Sequence, residues 1–388
     1  MRRNSLIRLL SRKTTGNNLI PEIDGFRFFA IGTVLLYHLN TNLKRVYAPV
    51  TGEVYFEGLL NTVVKQGSVG VDVFFAISGF ILALPFARQR LFDTAPVNLK
   101  SYYIRRLTRL EPPYVISLVI FLFVHFLILH EQWANIFPNF LASLFYVHSL
   151  VYNEWSKINP VAWSLEVEVQ FYLLAPVLAS FFSIRNPVWR RGSLALVIIL
   201  SMVHYDVNYA MLEDLHLRKS LFMHLQQFLI GFLFADFFLT DWKEMLKEKS
   251  VVFDIIGIGT LVSLLAFNTP FNFYHDLIFG TALFIAFISL FKGKWMNRFF
   301  TNTWVVIIGG MCYSIYLLHY AMIAFLSERT KFLFAQSWGY AVNYGIQLLV
   351  IMPIVLLISA LYFALIERPC MDKDWPGKVR AYLRFHQQ

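Results

Sequence analysis

The sequence predicts an all-α polytopic membrane protein of about ten transmembrane helices, with both termini cytoplasmic. Three observations carry that expectation. Of 388 residues, 57% are hydrophobic, 17% aromatic and only 15% charged, more apolar surface than a soluble shell of this length can wrap. Apolar runs such as VVFDIIGIGTLVSLLAF and LLVIMPIVLLISALYFALI approach or reach the ~20 residues that cross a hydrocarbon core as helix, and they lack the two-residue alternation of a β-barrel strand. Lys and Arg gather in alternate loops, as the positive-inside rule expects.

Taken in order, residues 1–21 read as a basic cytoplasmic tail. Arg8, Arg12 and Lys13 interrupt any apolar core and no small-residue cleavage site follows, so a signal peptide is not expected. Spans are expected at 22–40, 69–87, 112–130, 161–183, 193–210, 221–239, 251–268, 274–291, 303–326 and 343–366, which makes 22–367 one transmembrane domain and 368–388 a cytoplasmic C-terminal tail. In this arrangement 26 of the 34 Lys and Arg residues lie inside. The stretch FPNFLASLFYVHSL, 137–150, is too short for a comfortable crossing, and counting it as one would export fourteen positive residues. A re-entrant or interfacial helix is expected there. No internal repeat or soluble appendage is visible.

Two cysteines permit at most one bridge and exclude a Cys-based metal site; no helix-spaced ligand set such as HExxH supports a metal either. The net charge of +10 is spread over short loops rather than one continuous face. It fits acidic headgroups and topology, and no nucleic-acid partner is expected.

Arg27 and His38 stand eleven residues apart in IDGFRFFAIGTVLLYHL. Eleven helical steps make about three turns plus 20°, so both belong to one face about 16 Å apart and are expected to look into the same space. Ionisable groups at such depth usually face an interior or a wet cavity; the other reading is an Arg that snorkels from the helix end and an unrelated interfacial His. In NLKSYYIRRLTRLEPPY, Arg105, Arg106 and Arg109 crowd the inner side, with Arg106 and Arg109 one i to i+3 step apart. They suit either a phosphorylated ligand from the cytosol or a plain topological anchor. Ser164, Glu168 and Tyr172 recur every four residues on one helix face, and Glu166 with Gln170 on another. At least one of the two carboxylates is expected to face a polar cavity. Asp72, Ser78, Ser314, His319 and Glu367 are further polar points inside apolar runs, and Gly79, Gly309 and Gly310 allow helices to approach closely.

These stretches, in order, resemble the acyltransferase 3 family of integral membrane acyltransferases, which includes enzymes that O-acetylate bacterial surface carbohydrates. The likeness runs from about Ile23 to Pro369. It rests on IDGFRFFAIGTVLLYH with Arg-x10-His at Arg27 and His38, on GVDVFFAISGF, on RRLTRLEPPY with Arg-x-x-Arg at Arg106 and Arg109, on WSLEVEVQFYLL, and on YSIYLLH with IERP. This chain has Glu168, Val169 and Gln170 where many members read Glu-Glu-Gln, and Glu166 where they have a small residue. Some members carry a hydrolase-like domain after the last span, and with about 20 residues after Glu367 no handover to one in cis is expected here.

The resemblance implies an acyl-CoA co-substrate, most often acetyl-CoA, no permanently bound cofactor, and a carbohydrate or glycolipid acceptor at the outer face of the plasma membrane. Arg106 and Arg109 would hold the nucleotide phosphates, with Arg27 orienting the donor. His38 would be the general base, and Glu168 would either polarise it or bind acceptor hydroxyls. Asp24, Asp72, Ser78, Trp163, Ser164, Tyr172, Ser314 and His319 would bind substrate or serve structure. The alternative class is a transporter or flippase of a carbohydrate-linked substrate, which predicts inverted repeats and broken helices.

Overall fold

The computed structural model describes residues 2–13, 19–208, 214–240, 248–267, 272–372 and 374–377. Among these the chain is all-helical, with no strand. The principal helices are α1 (Arg2–Leu10), α2 (Pro21–Thr51), α3 (Val69–Leu91), α4 (Leu99–Phe123), α5 (Trp133–Leu144), α6 (His148–Val151), α7 (Trp163–Leu178), α8 (Pro187–Asn208), α9 (Leu225–Thr240), α10 (Val251–Ala266), α11 (Phe273–Lys292), α12 (Thr303–Gly310), α13 (Cys312–Arg329) and α14 (Tyr340–Tyr362). Among the described residues, five helical stretches suffice by length and composition to cross a membrane: Leu59–Leu91, Leu99–Ile128, Pro160–Ser183, Phe273–Lys292 and Tyr340–Cys370. The pair α12 and α13 would make a sixth. α2 is long enough, at 31 residues, but Asp24, Arg27, His38 and Asn40 lower the hydropathy of its apolar stretch. Leu349, Leu365 and Ile255 stand exposed on the outside of the bundle, which suits a lipid surround and would be a liability in water.

Close backbone approach sets the packing of the central helices. A Cβ built on Gly79 of α3 would lie 2.1 Å from the Phe228 carbonyl oxygen of α9, and one on Gly231 of α9 would lie 2.1 Å from the Ala76 oxygen of α3. At Gly309 of α12 the same test meets the Asp24 oxygen of α2 at 1.8 Å. No side chain fits at these crossings, so glycine is what lets the backbones touch. Two apolar clusters result. One fills the space between α3, α7, α9 and α11 with phenylalanine rings, among them Phe171 on Phe228 at 3.7 Å. The other joins α2, α4, α13 and α14. Val71 and Phe74 of α3 pack against both clusters, and a cavity opens beside them.

Four local features differ from the sequence expectation. The helix of the third expected span begins at Leu99 rather than at 112, because the Asn98 side chain accepts from the Ser101 N–H (2.9 Å) and starts α4 there. The expected straight span 303–326 bends by 67° between α12 and α13, around Met311, so a broken helix exists where none was expected. The N-terminal tail is docked: Arg368 donates to the main-chain oxygens of Ser11 (3.2 Å) and Arg8 (2.8 Å). Over 137–150 lie the end of α5 and most of the four-residue α6, not one continuous helix.

Candidate active site

The cavity holds about 920 Å³ of space not filled by atoms, its open mouth included. Four guanidinium groups converge on one end of it: Arg12 from the tail, Arg27 from α2, and Arg106 and Arg109 from α4. Asp24, 2% exposed, pairs with Arg12 at 2.6 Å and with Arg27, neutralising part of that charge. Arg106 lies over the rings of Tyr102 and Tyr172, each at 5.6 Å. Among the described residues neither Arg106 nor Arg109 forms an ion pair, and the Arg109 Nε is buried without a hydrogen-bond partner. A buried donor left unmade costs about 1–3 kcal/mol, more when charged, so an anion within reach of Arg106 and Arg109 would be favoured at this end. Arg105, one position from Arg106, is exposed outside the cavity.

The four-residue repeat on α7 works as the spacing predicts: Ser164, Glu168 and Tyr172 all line the cavity. Glu168 accepts from the Ser78 hydroxyl of α3 at 2.7 Å. Ser164 and the Tyr316 hydroxyl of α13 are 2.6 Å apart, tying α7 to α13 at the cavity wall. Glu166 points elsewhere. It is 1% exposed and accepts from the Ser149 N–H at 2.8 Å, so it satisfies an orphan donor at the start of α6 and pins that segment to α7. Glu367 does the same for α13. A π turn over Phe363–Glu367 carries its carboxylate to the Ser314 N–H (3.0 Å) and the Ser314 hydroxyl, just after the bend. Ser314 is therefore a structural partner of Glu367.

Arg27 and His38 do not share the cavity. Arg27 lines it, whereas the His38 ring sits among Tyr37 (4.9 Å), His319 (5.1 Å) and Tyr320 (5.2 Å). The eleven-residue offset places it a further 16 Å or so along α2, past the level of Tyr316, whose ring is 5.5 Å from His319. The rings of Tyr316 and His319 therefore stand between the cavity and His38. No carboxylate contacts His38 among the described residues, so direct polarisation by Glu168 is not what the geometry provides.

Asp72 and Trp163 also lie off the cavity wall. Asp72 accepts from the Gln227 amide at 3.1 Å and faces the His224 ring at 3.8 Å, while Trp163 packs beside Phe75 and His224. Phe75, which does line the cavity, stands between it and this group. Sequence reasoning missed Arg12, Cys312 and Tyr316 as lining residues. Arg12 carries no sequence signal, being one of several basic residues in the tail. Tyr316 had one: it lies three positions before His319, hence on the same helix face.

Comparison with known proteins places residues 20–364 in a match to the family described as an acyltransferase domain. A protein of Staphylococcus aureus (strain COL) that carries the provisional name O-acetyltransferase is 29% identical over 336 residues, covering 79% of this chain and 51% of that protein. The O-acetyltransferase OatA of Staphylococcus aureus (strain NCTC 8325 / PS 47) is 26% identical over 390 residues, covering 94% of this chain and 59% of its own length. The chain therefore spans between half and three fifths of the curated relatives it matches. No solved structure matches it.

Proposed function

The chain belongs to the acyltransferase domain family, and from that premise we propose that it is a membrane O-acyltransferase which moves an acyl group, acetyl foremost, from cytoplasmic acyl-CoA to a carbohydrate hydroxyl at the outer face of the plasma membrane. The helices over the expected segments would then make ten crossings with both termini cytoplasmic. The observation that carries the proposal is the pair of guanidinium groups that form no ion pair among the described residues, Arg106 and Arg109, at the cavity end that also gathers Arg12 and Arg27. The phosphates of CoA are refused by lipid and suit these forks, and the slim pantetheine arm can pass along the cavity between Ser78, Glu168 and Tyr316.

The chemistry asked of the site is modest. The acceptor hydroxyl gives its proton to His38, its oxygen bonds to the acyl carbon, the carbon–sulfur bond breaks, and the leaving CoA thiolate takes up the proton. General-base assistance of this kind contributes about 10²- to 10⁴-fold. A carbohydrate or glycolipid acceptor would approach from the His38 end of α2, away from the arginines.

One observation belongs to the transporter reading, the bend between α12 and α13. Broken helices in transporters offer a free positive N-terminus to an anionic substrate. Here the Glu367 carboxylate already occupies the start of α13, so the bend lacks that feature. The test is purified protein in detergent given acetyl-CoA and candidate glycans. Glycan-dependent release of CoA with an acetylated product supports the proposal, and glycan movement across liposomes without CoA release overturns it.

A further inference from the structure

His319 lies wholly buried on α13, and its hydrogen bonds fix its chemistry. Its Nδ1 is 2.8 Å from the Tyr316 carbonyl oxygen and 3.2 Å from that of Ile315. A carbonyl only accepts, so Nδ1 carries the hydrogen, and in the neutral ring Nε2 is a bare lone pair. That Nε2 is buried with no partner among the described residues. The neighbouring ring, His38, is left in the same state: its Nδ1 is also buried with no partner among the described residues. The ring centroids are 5.1 Å apart, with planes inclined by 53°. An N–H···N hydrogen bond of about 2.9 Å between the edges of two imidazoles needs centroids roughly 5 Å apart, and the second torsion of histidine is soft enough to bring the edges into line. The two nitrogens are not bonded to each other in the structure, but at this ring separation a turn about the second torsion of His38 would let its Nδ1–H reach the His319 Nε2 lone pair.

We infer that His319 is the positioning residue for His38: its Nε2 accepts the Nδ1–H of His38 and so holds His38 in the tautomer whose Nε2 is free to take the acceptor's proton. This rests on the proposed transferase function and names the residue that fills the orienting place a carboxylate holds in many histidine-based sites. An imidazole there keeps the pair uncharged at rest. That is the less costly choice within an apolar bundle, where an unpaired carboxylate would be expensive.

The test reads the tautomer and the reaction separately. In protein labelled with ¹⁵N-histidine, with His38 assigned by its own substitution, the wild-type chain should show His38 protonated at Nδ1, and a His38 ring protonated at Nε2 overturns the inference outright. His319→Gln keeps an acceptor oxygen and should preserve both the tautomer and turnover to within about tenfold. His319→Leu removes the acceptor at similar size. It should mix the tautomers and lower kcat by about 10²-fold, with KM for acetyl-CoA within twofold of wild type. Wild-type kcat in His319→Leu, or equal loss in both variants while both bind acetyl-CoA normally, contradicts the inference. If the wild-type protein shows no acyl transfer at all yet the His38 tautomer still depends on residue 319, the transferase reading has failed and the positioning role has not.

Discussion

Glu166 and Glu168 stand two positions apart on one helix and do opposite jobs: Glu168 opens onto the cavity with the Ser78 hydroxyl 2.7 Å away, and Glu166 is sealed against the Ser149 N–H of α6. The helical turn alone separates them by about 200°. The two carboxylates are thereby divided between the cavity wall and the packing of α6.

Glu166→Ala should lower stability by about 1–3 kcal/mol, the cost of an orphaned buried donor, with residual activity proportional to the folded fraction. Glu168→Ala should leave the melting temperature near wild type and cut turnover. Thermal unfolding in detergent alongside CoA-release rates separates the two. The assignment fails if the variants behave alike.

Arg106 and Arg109 are expected to set donor affinity. Replacing either by Ala should weaken acetyl-CoA binding about ten- to hundredfold, the worth of a charge-assisted hydrogen bond at about 1.5–3 kcal/mol, with KM for the glycan little changed. Titration calorimetry with CoA checks this. Unaltered CoA affinity would leave both residues as topological anchors.

Arg12 should matter less than Arg109, because Asp24 already balances it at 2.6 Å. Arg12→Ala is therefore expected to weaken CoA binding by a smaller factor than Arg109→Ala. A larger loss in Arg12→Ala would mean that the tail, rather than α4, provides the main anion contact.

Gly79→Leu should prevent assembly of α3 against α9, since even the first carbon of the new side chain falls 2.1 Å from the Phe228 oxygen. Overpacking costs about 1–3 kcal/mol where neighbours can shift, and a backbone carbonyl cannot shift cheaply. Loss of the monodisperse peak in detergent chromatography is the expected result, and wild-type yield would contradict the crossing.

Much of this arrangement was legible before any coordinates. The four-residue recurrence of Ser164, Glu168 and Tyr172 and the three-residue step from Arg106 to Arg109 fix which side chains share a face, because helical geometry is local. Gly79 and Gly309 announced close crossings for the same reason. The tail's Arg12 was not legible, since its place depends on contacts between Arg368 and the chain ends 357 and 360 positions away. Nor was the separation of His38 from Arg27's cavity. Sharing a helix face says that two residues point the same way, and only the neighbouring helix decides whether the space in front of each is continuous. Here the His319 ring of α13 packs beside His38, and the Tyr316 ring stands between it and the cavity. The bend at Met311 was hidden too, because GGMC reads as a small-residue packing stretch as readily as a break.

His38 bears the chemistry proposed for this chain, so His38→Ala is the decisive variant. Turnover of acetyl-CoA with a competent glycan, measured beside CoA affinity on the same preparation, should fall at least about 10²-fold while affinity and melting temperature stay at wild-type values. Turnover equal to wild type in that variant would remove the imidazole of α2 from the reaction and with it the route from the arginine-lined cavity to the outer face.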